Sequence, residues 1–535
     1  MHPSLANNQH KLYRDLSSMA RHDQHTKERI SFTMSTQHGA TSHIALRAIR
    51  TLLLPEWVFL VIALLVGGSC ALLLPAGIGL DETNHIARAS AIAEGEFTVH
   101  RIADRTGHTS PLDTEGADAT LYGNTVDSAL YDLAKTNTDR FNAGKNANGI
   151  MRYDFPTWQT PGVVNDLVVG QNSRVEAFSN TAVNSPFVYI PFVIGYWIAK
   201  AFTLNAYAII IAMRFAGLLC FIAAMVCCIK AVPVGKWVMA SIALLPSTLI
   251  SASAVTADTV TFVCCMAYIT MVLRCALCQR SISRQGWALL AVTTIILALI
   301  KLSYLPLLAL LLIIPLANTA TRNVRDVAIG CLVAAVTCCV FLVWYASIAH
   351  INTGAMFNVA ASPTLQKQVI FSSPLRYVKL LIGQFASQNY FNIGAFGPLE
   401  AHGHLAYSGW ATVLVLCCAV MLRDHREYGM PTLHKHAVSV TVIVGMVLYC
   451  VFVLIETALY LQYTPVGAEY IDGVQPRYFL PVLPLLLLPM MTVCHTGHSA
   501  SSERSRPTSA AVLMCLLQLL SAVLTAYVVV TTLYV

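Results

Sequence analysis

Apolar residues along this chain come in long unbroken stretches rather than at amphipathic spacing. Stretches at roughly 52–78, 205–230, 236–252, 257–278, 285–301, 304–320, 326–349, 405–422, 436–460, 477–494 and 510–533 each reach the length of at least about 17 residues that crosses a hydrocarbon core of ~30 Å. The pattern predicts an all-α polytopic membrane protein with about 11 transmembrane helices. A further apolar stretch, 186–203 (PFVYIPFVIGYWIAKAFT), carries Tyr, Trp and Lys along its length. These residues suit a helix lying in the membrane interface.

Basic residues arbitrate the topology. The short links holding Lys230/Lys236, Arg274/Arg280/Arg284, Arg322/Arg325, Arg423/Arg426/Lys435 and Arg504/Arg506 all fall on one side if the chain crosses once between Ser185 and Lys230. By the positive-inside rule that side is the cytoplasm. The N-terminus is then cytoplasmic, the C-terminus extracytoplasmic, and 186–203 stays on the outer surface. Residues 1–50 read as a disordered cytoplasmic tail, and 51–535 as the transmembrane domain. Two large outer loops follow, 80–204 with its interfacial helix and 350–404. The spacing within the first loop predicts short helices over 84–94 and 124–135.

Composition sharpens this picture. Of 535 residues, 56% are hydrophobic and 11% charged, less than half the charged fraction of a soluble domain. A soluble enzyme and a nucleic-acid-binding domain are excluded, and the net charge of +7 is read as topology. The stretch from Asp81 to Ser185 holds 14 Asp/Glu against 8 Lys/Arg, opposite in sign to the cytoplasmic links. All 16 cysteines lie in or beside apolar segments and read as small apolar fillers of helix packing. No Walker-type loop, GxGxxG, HExxH or GxSxG motif is present, so nothing points to cytoplasmic ATP as an energy source.

The candidate chemistry begins directly after the first span, at Leu80-Asp81-Glu82-Thr83-Asn84-His85-Ile86-Ala87-Arg88. Asp81 is either the N-cap of the following helix or a carboxylate at a cavity mouth, suited to take a proton from a hydroxyl nucleophile. Glu82 beside it makes the pair a candidate site for a divalent cation, and no other cofactor is indicated. His85 lies one turn from Asp81 and can share its face, with Arg88 a turn further on. Asp258 precedes an apolar span and is either an N-cap or a site carboxylate. Lys301 lies between two apolar runs, where it snorkels or meets an anion, with Tyr304 three residues on. Arg214 lies within an apolar span, where a charge is either functional or, near the outer end as here, snorkels; Glu456 in the ninth span is a weaker feature, expected to face the bundle or the outer cavity. Arg477-Tyr478 opens the tenth span, and arginine suits phosphate. Cations Arg214, Lys301 and Arg477 at one membrane level, with two acidic sites, suit a ligand with a phosphate near the bilayer surface and a polar head outside it.

At these residues the chain is similar to a known group. Asp81-Glu82-x-x-His85-x-x-Arg88-Ala89, Ser251-x-Ser253-x-x-x-x-Asp258, Lys301-x-x-Tyr304-Leu305-Pro306 and Gly473-Val474-Gln475-Pro476-Arg477-Tyr478-Phe479-Leu480-Pro481 resemble the bacterial membrane proteins of domain-of-unknown-function family 2142. An acidic pair after the first span, a long outer loop and Asn184-Ser185-Pro186-Phe187-x-Tyr189 resemble more widely the GT-C superfamily of polytopic glycosyltransferases. The resemblance implies inverting transfer of a sugar from a polyprenyl-phosphate-linked donor to a hydroxyl on a cell-surface glycan or glycoconjugate. It implies Asp81 as general base with Glu82 in support. It implies His85, Arg88, Arg214, Asp258 and Tyr304 around the substrate, and Lys301 and Arg477 with Tyr478 at the donor phosphate. The other readings are a transporter or flippase for lipid-linked saccharides, and a polysaccharide polymerase or ligase.

Overall fold

A computed structural model describes residues 53–79, 81–102, 121–143, 167–351, 361–387, 405–494 and 507–533. The N-terminal tail and parts of both large loops lie outside the described residues. The protein is an all-α polytopic membrane protein. Among the described residues, seven helices are long and apolar enough to cross a membrane: Pro55–Leu73, Ala206–Ala231, Ala257–Leu277, Val324–Ile348, Ala437–Gln462, Pro476–Cys494 and Ala510–Tyr527. The segments expected at 285–301, 304–320 and 405–422 form shorter apolar helices, Arg284–Leu297, Leu302–Ala317 and Trp410–Met421.

The first span is not uniform. Pro55–Ile62 is α-helical, Ala63–Gly67 widens into a π turn, and Gly68–Leu73 returns to α. A π turn loosens the regular carbonyl ladder, and the Gly67 carbonyl accepts from Ser253 Oγ at 2.9 Å. The first span is thereby tied to the middle of the chain.

The single span expected over 236–252 is instead two short helices, Lys236–Ala243 and Pro246–Ala252. Pro246 cannot donate a backbone hydrogen bond and its ring excludes the carbonyl a turn before it, so one helix ends and the next starts there. Every residue from Val232 to Ala257 is buried, and this broken segment forms the centre of the bundle. Lys236 survives there because its ammonium donates to the carbonyls of Ile229, Lys230 and Val232 at 3.0, 2.6 and 2.9 Å. It thus satisfies the open C-terminal end of Ala206–Ala231. Peripheral spans are the opposite case. Val324–Ile348 exposes Leu342 and Val343 at 61% and 73%, apolar surface suited to hydrocarbon.

The helix expected over 186–203 is present over Pro186–Lys200. It is a 3₁₀ turn, Pro186–Tyr189, followed by the α-helix Ile190–Lys200, and it runs antiparallel along Ala206–Ala231. Phe192 lies on Gly217, and Gly195 lies on Ala212 and Met213. A Cβ at Gly195 would come 2.6 Å from the Ala212 carbonyl oxygen, so the absent side chain lets the two helices touch by their backbones. Glycine-mediated packing of this kind is what associates helices in lipid.

In the first loop the helix expected over 84–94 is present as Glu82–Ala93. The helix expected over 124–135 starts only at Ser128 and runs to Ala143. Tyr122–Asp127 is a strand, central in a small antiparallel sheet with His100–Arg101 and Ser173–Ala177. Asp127 ends the strand and its carboxylate accepts from Ala129 N at 2.9 Å, starting the helix. The ladder from Gly123↔Ala177 to Asp127↔Ser173 outweighs local helix propensity, a tertiary effect invisible to spacing.

Candidate functional site

The site is built on the turn that leaves the first span. Gly77 has φ +92°, and a Cβ there would lie 2.2 Å from the Ala134 carbonyl oxygen. The Ser128–Ala143 helix can therefore press onto the turn and hold it. Asn137 Nδ2 donates to the Ala76 carbonyl and Thr138 Oγ1 to that of Gly77, both at 2.9 Å.

Glu82 follows, and it points inward. Its Oε1 accepts from Arg214 Nε at 2.7 Å and from Val255 N at 2.9 Å. Its Oε2 accepts from Arg214 Nη2 at 2.6 Å, from Gly77 N at 2.9 Å and from Gly79 N at 3.2 Å. Arg214 spends its remaining donors on the carbonyls of Ala71, Leu74 and Pro75. Both side chains are fully buried. Burial alone would raise the Glu82 carboxyl; the Arg214 guanidinium and the backbone donors outweigh it and hold it below its usual range. This corrects two expectations. Glu82 has no oxygen left for a base or cation role, and Arg214 is locked to Glu82 rather than standing level with Lys301 and Arg477. A buried, fully hydrogen-bonded ion pair is the physical reason. Among the described residues no group of three or more His, Cys, Asp or Glu side chains is arranged to hold a metal ion.

Asp81 is turned the other way. It is exposed, sits at φ 56°, ψ 24° in the left-handed region, and makes no capping hydrogen bond. The N-cap reading of Asp81 therefore does not hold. A non-glycine residue in this region is strained, and here the strain presents a solvent-facing carboxylate beside a buried one. One turn on, His85 is buried, with its Nδ1 2.8 Å from Tyr189 Oη. Tyr189 Oη also accepts from Asn184 Nδ2 at 3.3 Å. Burial pushes the His85 imidazole down to about 4, against the pull of the Asp258 and Asp81 carboxylates. It is a neutral hydrogen-bonding group at physiological pH. Arg88, a further turn along, donates to the carbonyls of Phe97 at 2.7 Å and Glu96 at 3.4 Å. It clamps the chain leaving the helix and stands apart from the cavity.

The second half of the site comes from three distant segments. Thr256 is the N-cap of Ala257–Leu277, its hydroxyl accepting from Asp258 N at 3.3 Å. Asp258 is thereby free of the capping role and its carboxylate faces two cations. Lys301 Nζ is 2.5 Å from Asp258 Oδ1, and Arg477 Nε is 3.5 Å from Oδ2. Lys301 precedes the 3₁₀ segment Leu302–Leu312, and Arg477 lies in the 3₁₀ turn Pro476–Val482. Tyr304 Oη donates to the Tyr478 carbonyl at 2.8 Å, fastening the two segments. The Tyr478 ring carries both cations, Lys301 Nζ at 5.5 Å and the Arg477 guanidinium at 5.1 Å from its centroid, within cation–π range.

Asp258, Tyr304, Arg477 and Tyr478 line an open cleft whose apolar wall includes Phe221 and Phe262. Two cations face one carboxylate there. Among the described residues Arg477 Nε makes no hydrogen bond, and neither does the buried Thr261 Oγ1 on the same wall. Asp81 begins the helix whose next turn carries His85, and the Pro186–Tyr189 turn that holds His85 packs on Ala257–Leu277, the helix of Asp258. The structure thus brings together Asp81, His85, Asp258, Lys301, Tyr304, Arg477 and Tyr478, and leaves out Glu82, Arg88 and Arg214. Sequence reasoning missed the Tyr189 contact to His85 and the Thr261 hydroxyl. Thr261 lies three residues after Asp258 and so on the same helix face, a signal that was available.

No curated protein and no solved structure matches the chain. Residues 64–486 match the family described as predicted membrane protein (DUF2142). That span takes in the Asp81, His85, Asp258, Lys301 and Arg477 segments together, and the chain accordingly belongs to this family of membrane proteins.

Proposed function

We propose that this protein is a membrane glycosyltransferase of the polyprenyl-phosphate-sugar-dependent kind, moving a sugar to a hydroxyl acceptor on a cell-surface glycan or glycoconjugate. The observation that carries the reading is the convergence of Lys301 and Arg477 on Asp258 beside a cleft, with the exposed Asp81 at the start of the helix that carries His85. Two cations against the single Asp258 carboxylate leave an excess positive charge where a lipid phosphate can sit. The apolar wall at Phe221 and Phe262 suits the first carbons of the lipid. Arginine holds phosphate through a planar fork and lysine as a point charge.

The chemistry needs no more than these groups. Asp81 takes the proton of the acceptor hydroxyl as its oxygen attacks the anomeric carbon. The bond from that carbon to the phosphate oxygen breaks, and the lipid phosphate leaves with its charge held by Lys301 and Arg477. His85, neutral and fixed by Tyr189, offers a hydrogen bond to the sugar or acceptor. Asp258 holds the two cations apart from each other's repulsion and in place.

The test uses cells lacking the native gene and complemented with Asp81→Asn or Arg477→Met, with surface sugar composition read by hydrolysis and chromatography and protein level checked. Loss of one defined sugar at wild-type protein level is the expected result for Asp81→Asn. Purified wild-type protein should release polyprenyl phosphate from the donor, which a transporter does not do. Arg477→Met should weaken donor binding about 10- to 100-fold, the worth of a hydrogen bond to a charged group. Unchanged surface sugars in the Asp81→Asn strain would overturn the reading.

A further inference from the structure

Glu456 stands apart from the site already described. It lies in the spanning helix Ala437–Gln462, six residues from the Gln462 end and thus about 9 Å along the axis. It is 0% exposed, and among the described residues neither of its buried carboxyl oxygens has a hydrogen-bond partner. Among the described residues no Lys, Arg or His approaches it within salt-bridge distance, in contrast to Glu82, Asp258 and Glu56, each paired with a cation.

Its surroundings are aromatic and apolar. One turn before it on the same face, Phe452 packs on Phe385 at 5.5 Å and on Phe479 at 6.2 Å between centroids. One turn after it, Tyr460 stacks on Tyr377 at 5.6 Å. Most polar groups of the elements packed around it are committed elsewhere: Lys301 faces Asp258, and Gln366 accepts from Gly467 N at 2.8 Å through Oε1, its Nε2 alone having no hydrogen bond among the described residues. Tyr377 Oη is hydrogen-bonded to Thr457 Oγ1 at 2.6 Å, and Tyr460 Oη to the Ala468 carbonyl at 3.1 Å. Tyr304 is bound to the Tyr478 carbonyl, and Arg477 faces Asp258. Arg376 reaches the Gly467 carbonyl and Glu469. Lys367 and Tyr449 are exposed. An ionised carboxylate in such a place would carry a desolvation cost with nothing to offset it, whereas a neutral carboxylic acid carries a far smaller one.

We propose that Glu456 is a proton-binding site within the membrane, a carboxyl group held as the neutral acid at neutral pH. Its neighbour Phe452 packs on Phe479, two residues from Arg477. The proton is therefore part of what keeps the Pro476–Val482 turn seated against the Ala437–Gln462 helix. Raising the pH until Glu456 ionises would pull water or a cation into this aromatic box and loosen that contact.

The test is infrared spectroscopy on purified protein in lipid nanodiscs at neutral pH, with and without ¹³C-labelled glutamate. Wild type should show the carbonyl stretch of a protonated carboxylic acid, shifted by the label, and Glu456→Gln should lack that component while melting at the wild-type temperature. If the Gln variant does not fold, Glu456→Asp retains the acid. The protonated band should then persist but lose the part of its response to labelled glutamate that Glu456 supplied. Glu427→Gln in each background removes from the comparison a second buried glutamate, whose Oε2 has no hydrogen bond among the described residues. Identical label-sensitive bands in wild type and the Glu456 variants at neutral pH would mean that Glu456 is ionised, and would overturn the proposal. So would a wild-type band that is present in potassium buffer and abolished by sodium at the same pH, because the occupant would then be a metal cation and not a proton.

Discussion

Asp81 and Glu82 are adjacent, chemically alike, and opposite in fate. Glu82 is spent on Arg214 and three backbone donors; Asp81 makes no capping hydrogen bond and faces out in a left-handed conformation. Two expectations follow at this scale. Removing the charge of Glu82 leaves Arg214 buried and uncompensated, so Glu82→Gln should destabilise the protein by about 3–5 kcal/mol, read as a lower unfolding temperature and reduced membrane level. Asp81→Gly should do the reverse. Relief of a left-handed residue is worth roughly 1–2 kcal/mol, against about 0.5–1 kcal/mol of added backbone entropy. The variant should melt at or slightly above the wild-type temperature while losing whatever the carboxylate does. A lower melting temperature would show that the Asp81 side chain holds the turn.

At the scale of elements, the backbone contact between Ile190–Lys200 and Ala206–Ala231 is the feature most exposed to a single change. It brings Tyr189 to His85 and sets Arg214, on the far helix, under Glu82. Gly195→Ala would gain about 1 kcal/mol in helix propensity, but its Cβ would lie 2.6 Å from a backbone oxygen. Overpacking of that kind costs about 1–3 kcal/mol, and backbone cannot rotate away as a side chain does. Sterics should win, and thermal unfolding of the purified variant should show a net loss. Gly445→Ala, in a helical stretch with open space around the glycine, is the matched control and should be neutral or stabilising.

For the whole molecule, two groups outside the spans tie stability to pH with opposite signs. His85 is pushed down to about 4 by burial. It binds protons less well folded than unfolded, so its contribution is complete above about pH 6.5 and is lost as the pH falls through 4. The amount is on the order of 3 kcal/mol. Glu427 is the reverse case. Burial pushes it up to about 7, with Oε1 accepting from Lys236 N at 2.8 Å and Oε2 unpartnered. Its contribution is complete below about pH 4.5 and is lost as the pH rises through 7. Unfolding temperature should therefore fall towards both acid and neutral-to-alkaline pH. His85→Asn should flatten the acid limb, and Glu427→Gln the other. A profile unchanged by either substitution would sink the assignment.

The apolar stretches by themselves determined that this is a helical membrane protein and where most of its helices run, because exclusion from water acts on whole segments and needs no partner. The same stretches held Asp81, Asp258, Lys301 and Arg477 visible as rare charges in apolar surroundings. What they did not hold was direction. Whether a carboxylate points into a salt bridge or into a cleft depends on the residue facing it from more than a hundred positions away, as Arg214 faces Glu82. The break at Pro246 is the proline's own and was there to be read, whereas the strand at 122–127 and the packing of 186–200 on Ala206–Ala231 are likewise decided by what packs against them. So is the environment of Glu456, whose helix neighbours Phe452 and Tyr460 pack on aromatic rings of two other segments. Hydrophobicity is additive along a chain and legible in it, whereas hydrogen bonding and ion pairing are properties of pairs that only the tertiary structure brings together.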